Sequence, residues 1–264
     1  MKLLFLGTGA AGSVKRDEAD ITEGIRRCTT MMIDETVLVD VSRQSFDYQT
    51  KLGKDPAKIT DIFLSHAHGD HFNRDSLLKY AAATEGKVRF WCHKGALENL
   101  KFTEEELEKF VLCPVEICDT WETAGMTVTA LPANHLVGSF TTAEKPLHYI
   151  FEKDGKTLYY GCDGGWYTAI EWEYMLQKKV KFDGVILDAT VGEDDGNFRI
   201  ATHNNLAMIK LLTLALKQNG VLNENAKLIT THFANSCYDK AYTKEEVFGP
   251  LGILPTEDGM ELEI

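Results

Sequence analysis

The run Leu64-Ser-His66-Ala-His68-Gly-Asp70-His71 constrains this chain more than any other stretch. It follows the short apolar segment Asp61-Ile-Phe-Leu64 and precedes a helix-like stretch from Arg74 to Ala83. A buried strand leading into a polar loop and then a helix is an α/β unit, and such loops carry function on a rigid scaffold. Here the loop holds His66, His68, Asp70 and His71 within six positions. Imidazole and carboxylate are the donors that hold zinc and related ions in catalytic sites. Four of them on one loop exceed the need of one tetrahedral ion when other donors come from elsewhere, so the pattern predicts two ions side by side.

The rest of the chain supplies those other donors. It has eight histidines. His135, His203 and His232 lie in short polar breaks after apolar runs, in Leu131-Pro-Ala-Asn-His135, Ala-Thr-His203-Asn-Asn and Leu228-Ile-Thr-Thr-His232. Asp163 follows Leu158-Tyr-Tyr-Gly-Cys162 in the same way. A solvated, histidine-rich loop would not explain this recurrence. His93 and His148 sit in no such break and are expected to be ordinary structural residues. Asp40 and Asp188 end the runs Val-Leu-Val-Asp40 and Val-Ile-Leu-Asp188; each could orient a ligand imidazole or cap a strand end.

The order His66-x-His68-x-Asp70-His71, then His135, Asp163 and His232, resembles the metallo-β-lactamase superfamily. The opening Lys2-Leu-Leu-Phe-Leu-Gly-Thr-Gly9 and the run Thr36-Val-Leu-Val-Asp40 are similar to its first strands, so the likeness spans about Met1 to His232. The resemblance implies one ion on His66, His68 and His135, a second on Asp70, His71 and His232, and Asp163 between them. The ions would be zinc, with manganese as the alternative. A hydroxide bridging them would be the nucleophile, and Asp70 would serve both as ligand and as catalytic carboxylate. A histidine at 68 separates the chain from diiron oxygen reductases of the same fold, which carry glutamate there. Cys162, beside Asp163, is expected to be a core thiol.

His203 is surplus to these seven ligands and is expected to open a helix. The segment resembles the phosphodiesterase branch, meaning ribonuclease Z-like enzymes and phosphoribosyl cyclic phosphodiesterases. There a histidine before this helix serves the transition state, where a cation or acid is needed near the phosphoryl oxygens. Ribonuclease Z-like enzymes carry a long RNA-gripping arm between the ligands matching His135 and Asp163. Here that interval, from 135 to 163, is 28 residues and contains no basic Gly/Pro arm. The cyclic phosphodiesterases match better in length, but their cysteine-rich zinc loop is represented here only by Cys28. Lys15, Arg16, Arg26 and Arg27 could hold a second phosphate; a solvated face is slightly favoured. The expected activity is hydrolysis of a small cyclic phosphodiester. The alternatives are a ribonuclease Z-like RNA endonuclease and a hydrolase of carbon esters, thioesters or lactones.

Composition agrees with one globular enzyme domain over residues 1–264, with 44% apolar and 26% charged residues. The net charge of −12 disfavours a nucleic-acid footprint, leaving a small anionic substrate as the expected partner; the chain could also pair with a second copy. No apolar run is long enough to span a membrane, and the apolar N-terminal run is too short for a signal peptide. The six cysteines form no C-x-x-C pair and are expected to be reduced thiols in the cytoplasm.

The predicted fold class is α/β, a four-layer αββα sandwich. Strands are expected at Lys2–Leu6, Thr30–Ile33, Thr36–Asp40, Asp61–Leu64, Val88–Trp91, Met126–Leu131, Leu147–Glu152, Thr157–Tyr160, Gly184–Asp188 and Leu228–Thr231. Asp154-Gly155 signals a hairpin. Helices are expected at Arg74–Ala83, Thr103–Val111, Thr168–Gln177 and Asn204–Lys217. Gly7-Thr-Gly9-Ala-Ala-Gly12 matches a dinucleotide fingerprint, but the residues after it lack the apolar stripe of the required helix. A glycine loop passing close to the metal site is the better reading.

Overall fold

The structure is a computed structural model and describes residues 1–11, 26–234, 237 and 244–264. Lys15, Arg16 and Gly12 lie outside these residues. Two mixed sheets of seven strands each stack face to face. The first runs antiparallel through β1 (Lys2–Gly7), β2 (Thr30–Ile33) and β3 (Val37–Val39), then parallel through β4 (Asp61–Phe63), β5 (Arg89–His93) and β6 (Val111–Val115). The second repeats the plan. Strands β7 (Thr120–Thr123), β8 (Met126–Pro132), β9 (Leu147–Lys153) and β10 (Lys156–Gly161) are antiparallel. They are followed in parallel by β11 (Phe182–Asp188), β12 (Leu222–Thr231) and β13 (Ile253–Pro255). A short strand, β14 (Glu261–Glu263), closes the β1 edge of the first sheet.

The sequence pattern accounts for this division. Parallel strands buried on both faces read as unbroken apolar runs, as Ile62-Phe63-Leu64 and Val185-Ile186-Leu187 do. Between the sheets, Phe5, Ile33, Val39 and Phe63 meet Val128, Tyr149, Phe151, Tyr160, Ile186 and Ile229. The outer face of the first sheet is covered by α1 (Ser45–Lys51) and α2 (Arg74–Ala83), the latter burying Leu77 and Tyr80 against Ile62 and Phe90. Two one-turn helices follow, α3 (Leu97–Leu100) and α4 (Glu104–Leu107). The second sheet is covered by α5 (Ala169–Gln177) and α6 (Leu206–Gln218), with α7 (Lys244–Phe248) near the C-terminus. Helix α6 buries Ile209, Leu212 and Leu216 at helical spacing, each contributing about 1.5–3 kcal/mol of apolar burial. The layers are helix, sheet, sheet, helix.

Several local expectations need correction. The helix over Thr103–Val111 is only the single turn α4. Its capping box between Thr103 and Glu106 forms, but Val111 already belongs to β6, where pairing with β5 outweighs helix propensity. Pro114 is tolerated there because β6 is an edge strand. Helix α1 and the edge strands β7, β13 and β14 are too short to show a period. Asp154 and Gly155 turn the β9–β10 hairpin with φ of 50° and 72°, as their identity predicts. Gly7 is required by close approach: a Cβ there would stand 1.9 Å from the Cys28 carbonyl oxygen. The amides of Gly9 and Ala10 then donate to Arg27 O and Phe233 O, so the glycine segment runs beside the loop of His232. No described helix is long and apolar enough to cross a membrane.

Candidate metal centre

The C-terminal ends of β3, β4, β8, β10, β11 and β12 lead into Asp40, His66, His135, Asp163, Asp188 and His232. The His66–His71 loop is pinned by its own backbone. His71 N and Phe72 N donate back to His68 O, Val41 N donates to His71 O, and Asn73 accepts from Ser76 N to start α2. Ser65 donates both its amide and its hydroxyl to Asp40 Oδ1, each at 2.8 Å. Asp40, Asp163 and His232 take positive φ of 63°, 55° and 63°, a backbone region that non-glycine residues rarely occupy outside constrained sites.

These turns aim five imidazoles and two carboxylates at one small volume. His66 Nε2 lies 2.9 Å from His68 Nδ1, which lies 3.2 Å from His135 Nε2. His71 Nε2 and His232 Nε2 are 3.1 Å apart. Asp70 Oδ2 is 3.5 Å from His232 Nε2 and 3.7 Å from His71 Nε2. One atom is common to both groups: Asp163 Oδ2, 3.1 Å from both His66 Nε2 and His71 Nε2. The edge of a tetrahedron with metal–ligand bonds of about 2.0–2.1 Å is about 3.3 Å, so these separations suit donors around an ion.

The outward-facing ring atoms set the tautomers. His135 Nδ1 faces the carbonyl of Thr202 at 3.2 Å, so it must carry the proton and leave Nε2 as a lone pair. His71 Nδ1 meets Asp40 Oδ2 at 2.7 Å. His232 Nδ1 meets Thr190 Oγ1 at 2.6 Å and Asp188 Oδ2 at 3.2 Å, and His66 Nδ1 meets Ser65 Oγ at 3.0 Å. Asp163 Oδ1 is buried and has no hydrogen bond of good geometry. Inward lone pairs and an under-satisfied carboxylate fit divalent cations. Among the described residues three overlapping groups could hold an ion: His66, His68, His135 with Asp163; Asp70, His71, His232 with Asp163; and Asp163, Asp188, His203 with His232.

The halves differ electrostatically. Burial pushes His66, His68 and His135 below the usual histidine range, favouring the neutral ligand form. Burial acts in the same direction on His71 and His232, but carboxylates outweigh it. Asp40 and Asp70 raise His71, and Asp163, Asp188 and Asp70 bring His232 to about 9. Burial would raise Asp163, yet the surrounding imidazoles hold it well below the carboxylate range.

Comparison with known proteins decides the family. A profile described as a beta-lactamase superfamily domain matches residues 14–233. The chain belongs to the metallo-β-lactamase superfamily. A search of curated proteins returns no match. Solved structures share the superfamily fold over nearly their whole length. Zn(2+)-bound PqqB from Methylobacterium extorquens is 15% identical with a TM-score of 0.75, covering 100% of both chains. A diphosphatase from the PhnP family is 19% identical with a TM-score of 0.73, covering 100% of this chain and 96% of its own. The short form of human tRNase Z is 17% identical with a TM-score of 0.69, covering 100% of this chain and 99% of its own.

His203 is additional to the seven residues of the first two groups and belongs to the third, with Asp163, Asp188 and His232. It does not cap α6; Asn205 does, accepting from Met208 N at 2.8 Å. His203 instead closes the preceding 3-10 turn, its amide donating to Arg199 O. Its Nδ1 lies 2.8 Å from Asp163 Oδ1 and 3.4 Å from Asp188 Oδ2, and its ring lies parallel to that of His232. Burial lowers its pKa, but the two carboxylates prevail and raise it to about 10. A solvent-exposed helix-start histidine would have none of these partners.

Asp40 and Asp188 do both jobs expected of them. Each orients an imidazole while accepting backbone amides, from Ser65 in one case and from Thr190 and Asn204 in the other. Arg26 and Arg27 correct the expectation of a solvated face. Both are buried: Arg26 donates to Thr8 Oγ1, Thr256 O and Glu257 Oε1, and Arg27 lies over the Tyr48 ring beside Asp258. They tie the glycine loop to the C-terminal segment. Cys162 is a core thiol whose pKa burial raises well above normal. His93 and His148 lie outside the donor groups. Asn134 and Asn204 were not anticipated. They donate to Trp166 O and Gly164 O and so hold the turn that follows Asp163. Their only sequence signal is adjacency to His135 and His203.

Proposed function

We propose that this metal-dependent hydrolase cleaves a small cyclic phosphodiester. His66, His68 and His135 would hold one divalent ion, zinc or manganese, and Asp70, His71 and His232 a second, with Asp163 Oδ2 common to both. Bound there, two such ions supply Lewis acidity and a nucleophile at neutral pH. The observation that carries the reading is His203. An imidazolium held between Asp163 and Asp188, beside the donor groups, has Nε2 left to offer a proton to a leaving oxygen or to stabilise charge on phosphoryl oxygens. Hydrolysis of a carbon ester does not require that extra cation. Asp70, buried and 3.5 Å from His232 Nε2, would orient the attacking water as well as bind metal.

The small size of the substrate has its own support. Between His135 and Asp163 the chain contains one loop and the β9–β10 hairpin, with no projecting arm. The net charge of −12 opposes a long polyanion. The test is a screen of purified, metal-loaded protein on bis(p-nitrophenyl) phosphate, 2′,3′-cyclic nucleotides and a thioester, each with Zn²⁺ and with Mn²⁺. Diester turnover is expected; thioester turnover with no diester turnover would replace this reading by the carbon-ester one.

A further inference from the structure

Of the five imidazoles aimed at the centre, His66, His71, His135 and His232 have a hydrogen-bonded outer nitrogen. His68 does not. Its Nδ1 turns inward to His66 and His135, and among the described residues no hydrogen bond reaches its Nε2. With no partner to orient the ring, the placing of His68 rests on the backbone that carries it.

That backbone is held by a carboxylate from far along the chain. Ala67 N, between His66 and His68, donates to Glu144 Oε1 at 2.7 Å, and Asn99 Nδ2 donates to Glu144 Oε2 at 2.7 Å. Glu144 is only 3% exposed, although Ala143 and Lys145 on either side of it are exposed. Burying a carboxylate is costly unless its oxygens are used, and here both are. The segment around Glu144 is fixed independently. Leu147 N donates to Ser65 O at 2.9 Å, and Lys145 N donates to His93 Nδ1 at 3.2 Å. The chain passes so close to Gly95 that a Cβ there would stand 2.3 Å from Ala143 O. One loop therefore supplies His135 near its start and grips the His66–His68 backbone near its end. The second group rests on other partners, Asp40 for His71 and Thr190 with Asp188 for His232.

We infer that Glu144 is a positioning residue for the first ion alone: through Ala67 N it sets the spacing of His66 and His68. The inference rests on the two-ion assignment of the proposed hydrolase.

Zinc competition with a chromophoric chelator tests it without turnover. In an Asp70→Ala background only the second group lacks a ligand, and adding Glu144→Ala should weaken the remaining ion by roughly 10–100-fold. In a His135→Ala background the first group is the incomplete one, and the same substitution should leave the affinity of the second group unchanged. Glu144→Gln should restore the first ion, because its amide oxygen still accepts from Ala67 N and Asn99 can turn its own amide to accept from the new Nε2. In the metal-free protein, hydrogen exchange over residues 64–72 should be faster in Glu144→Ala than in Glu144→Gln. Equal weakening in both backgrounds, weakening in neither, or no restoration by Glu144→Gln would overturn the positioning role. Two tight ions in the parent and the expected split between backgrounds, with no diester turnover, would refute the diesterase reading and uphold the role of Glu144.

Discussion

Two buried histidine–carboxylate clusters lie on either side of the Asp163-Gly164 turn, and only one has the geometry of a metal centre. In the first, His148 Nδ1 meets Glu171 Oε1 at 2.7 Å, and Tyr159 OH joins the same oxygen. His148 Nε2 has no partner; it packs so tightly on Gly164 that a Cβ there would come within 2.6 Å. In the second, His66, His71, His135 and His232 each satisfy their outer nitrogen and turn the inner one toward Asp163 Oδ2. Pairing a buried imidazole with a carboxylate therefore does not define a metal site. Convergence of several lone pairs on one shared oxygen does. The first cluster locks helix α5 and the turn after Asp163; the second leaves donors for an ion to satisfy.

The sharpest test of that contrast is the shared oxygen. Asp163→Ala should lose both metals, measured by metal analysis after reconstitution, and turnover should fall more than roughly 10⁴-fold, beyond what one proton-transfer group supplies. Retention of two tightly bound ions would break the comparison. His203→Ala should keep both metals yet lower kcat by roughly 10²–10⁴-fold, with substrate binding changed less than turnover. Near-normal turnover on the best diester would reduce His203 to a packing residue and bring the carbon-ester reading forward. Asp40→Asn weakens the orientation of His71 without removing a donor, so metal affinity should drop by roughly 10–100-fold in a competition titration with a chelator. The smallest effect on metal is expected for His148→Ala. It should leave two ions bound while lowering stability by about 3 kcal/mol, read by denaturant unfolding, because a buried imidazole is removed and Glu171 keeps only Tyr159 OH and Thr168 N of its three partners. Loss of metal in that variant would mean the two clusters are one unit.

The site was more legible in the sequence than the fold around it. The His66–His71 motif, His135, Asp163 and His232 announce themselves because each follows an apolar strand and interrupts it with a donor. Long or doubly buried elements such as β11 and α6 show their period, whereas α1 is about two turns and β7, β13 and β14 are three or four residues, so they owe their form to neighbours. Residues that act through contacts left little trace. Ser65, Thr190, Asn134 and Asn204 are common polar residues, and only their hydrogen bonds distinguish them. Arg26 and Arg27 misled for the same reason, since a charged pair in a polar loop looks solvated until Thr8, Glu257 and Asp258 are brought to it from far along the chain.

By itself the sequence determined the donor types, their order and the apolar runs that make two sheets, because ligand chemistry and strand burial are local properties of side chains. Tertiary structure alone decided that His203 faces Asp163 and Asp188 and that Asp163 Oδ2 is the common atom. Those facts depend on distances of a few ångströms between residues tens of positions apart. Only the closing of both sheets over one core sets such distances.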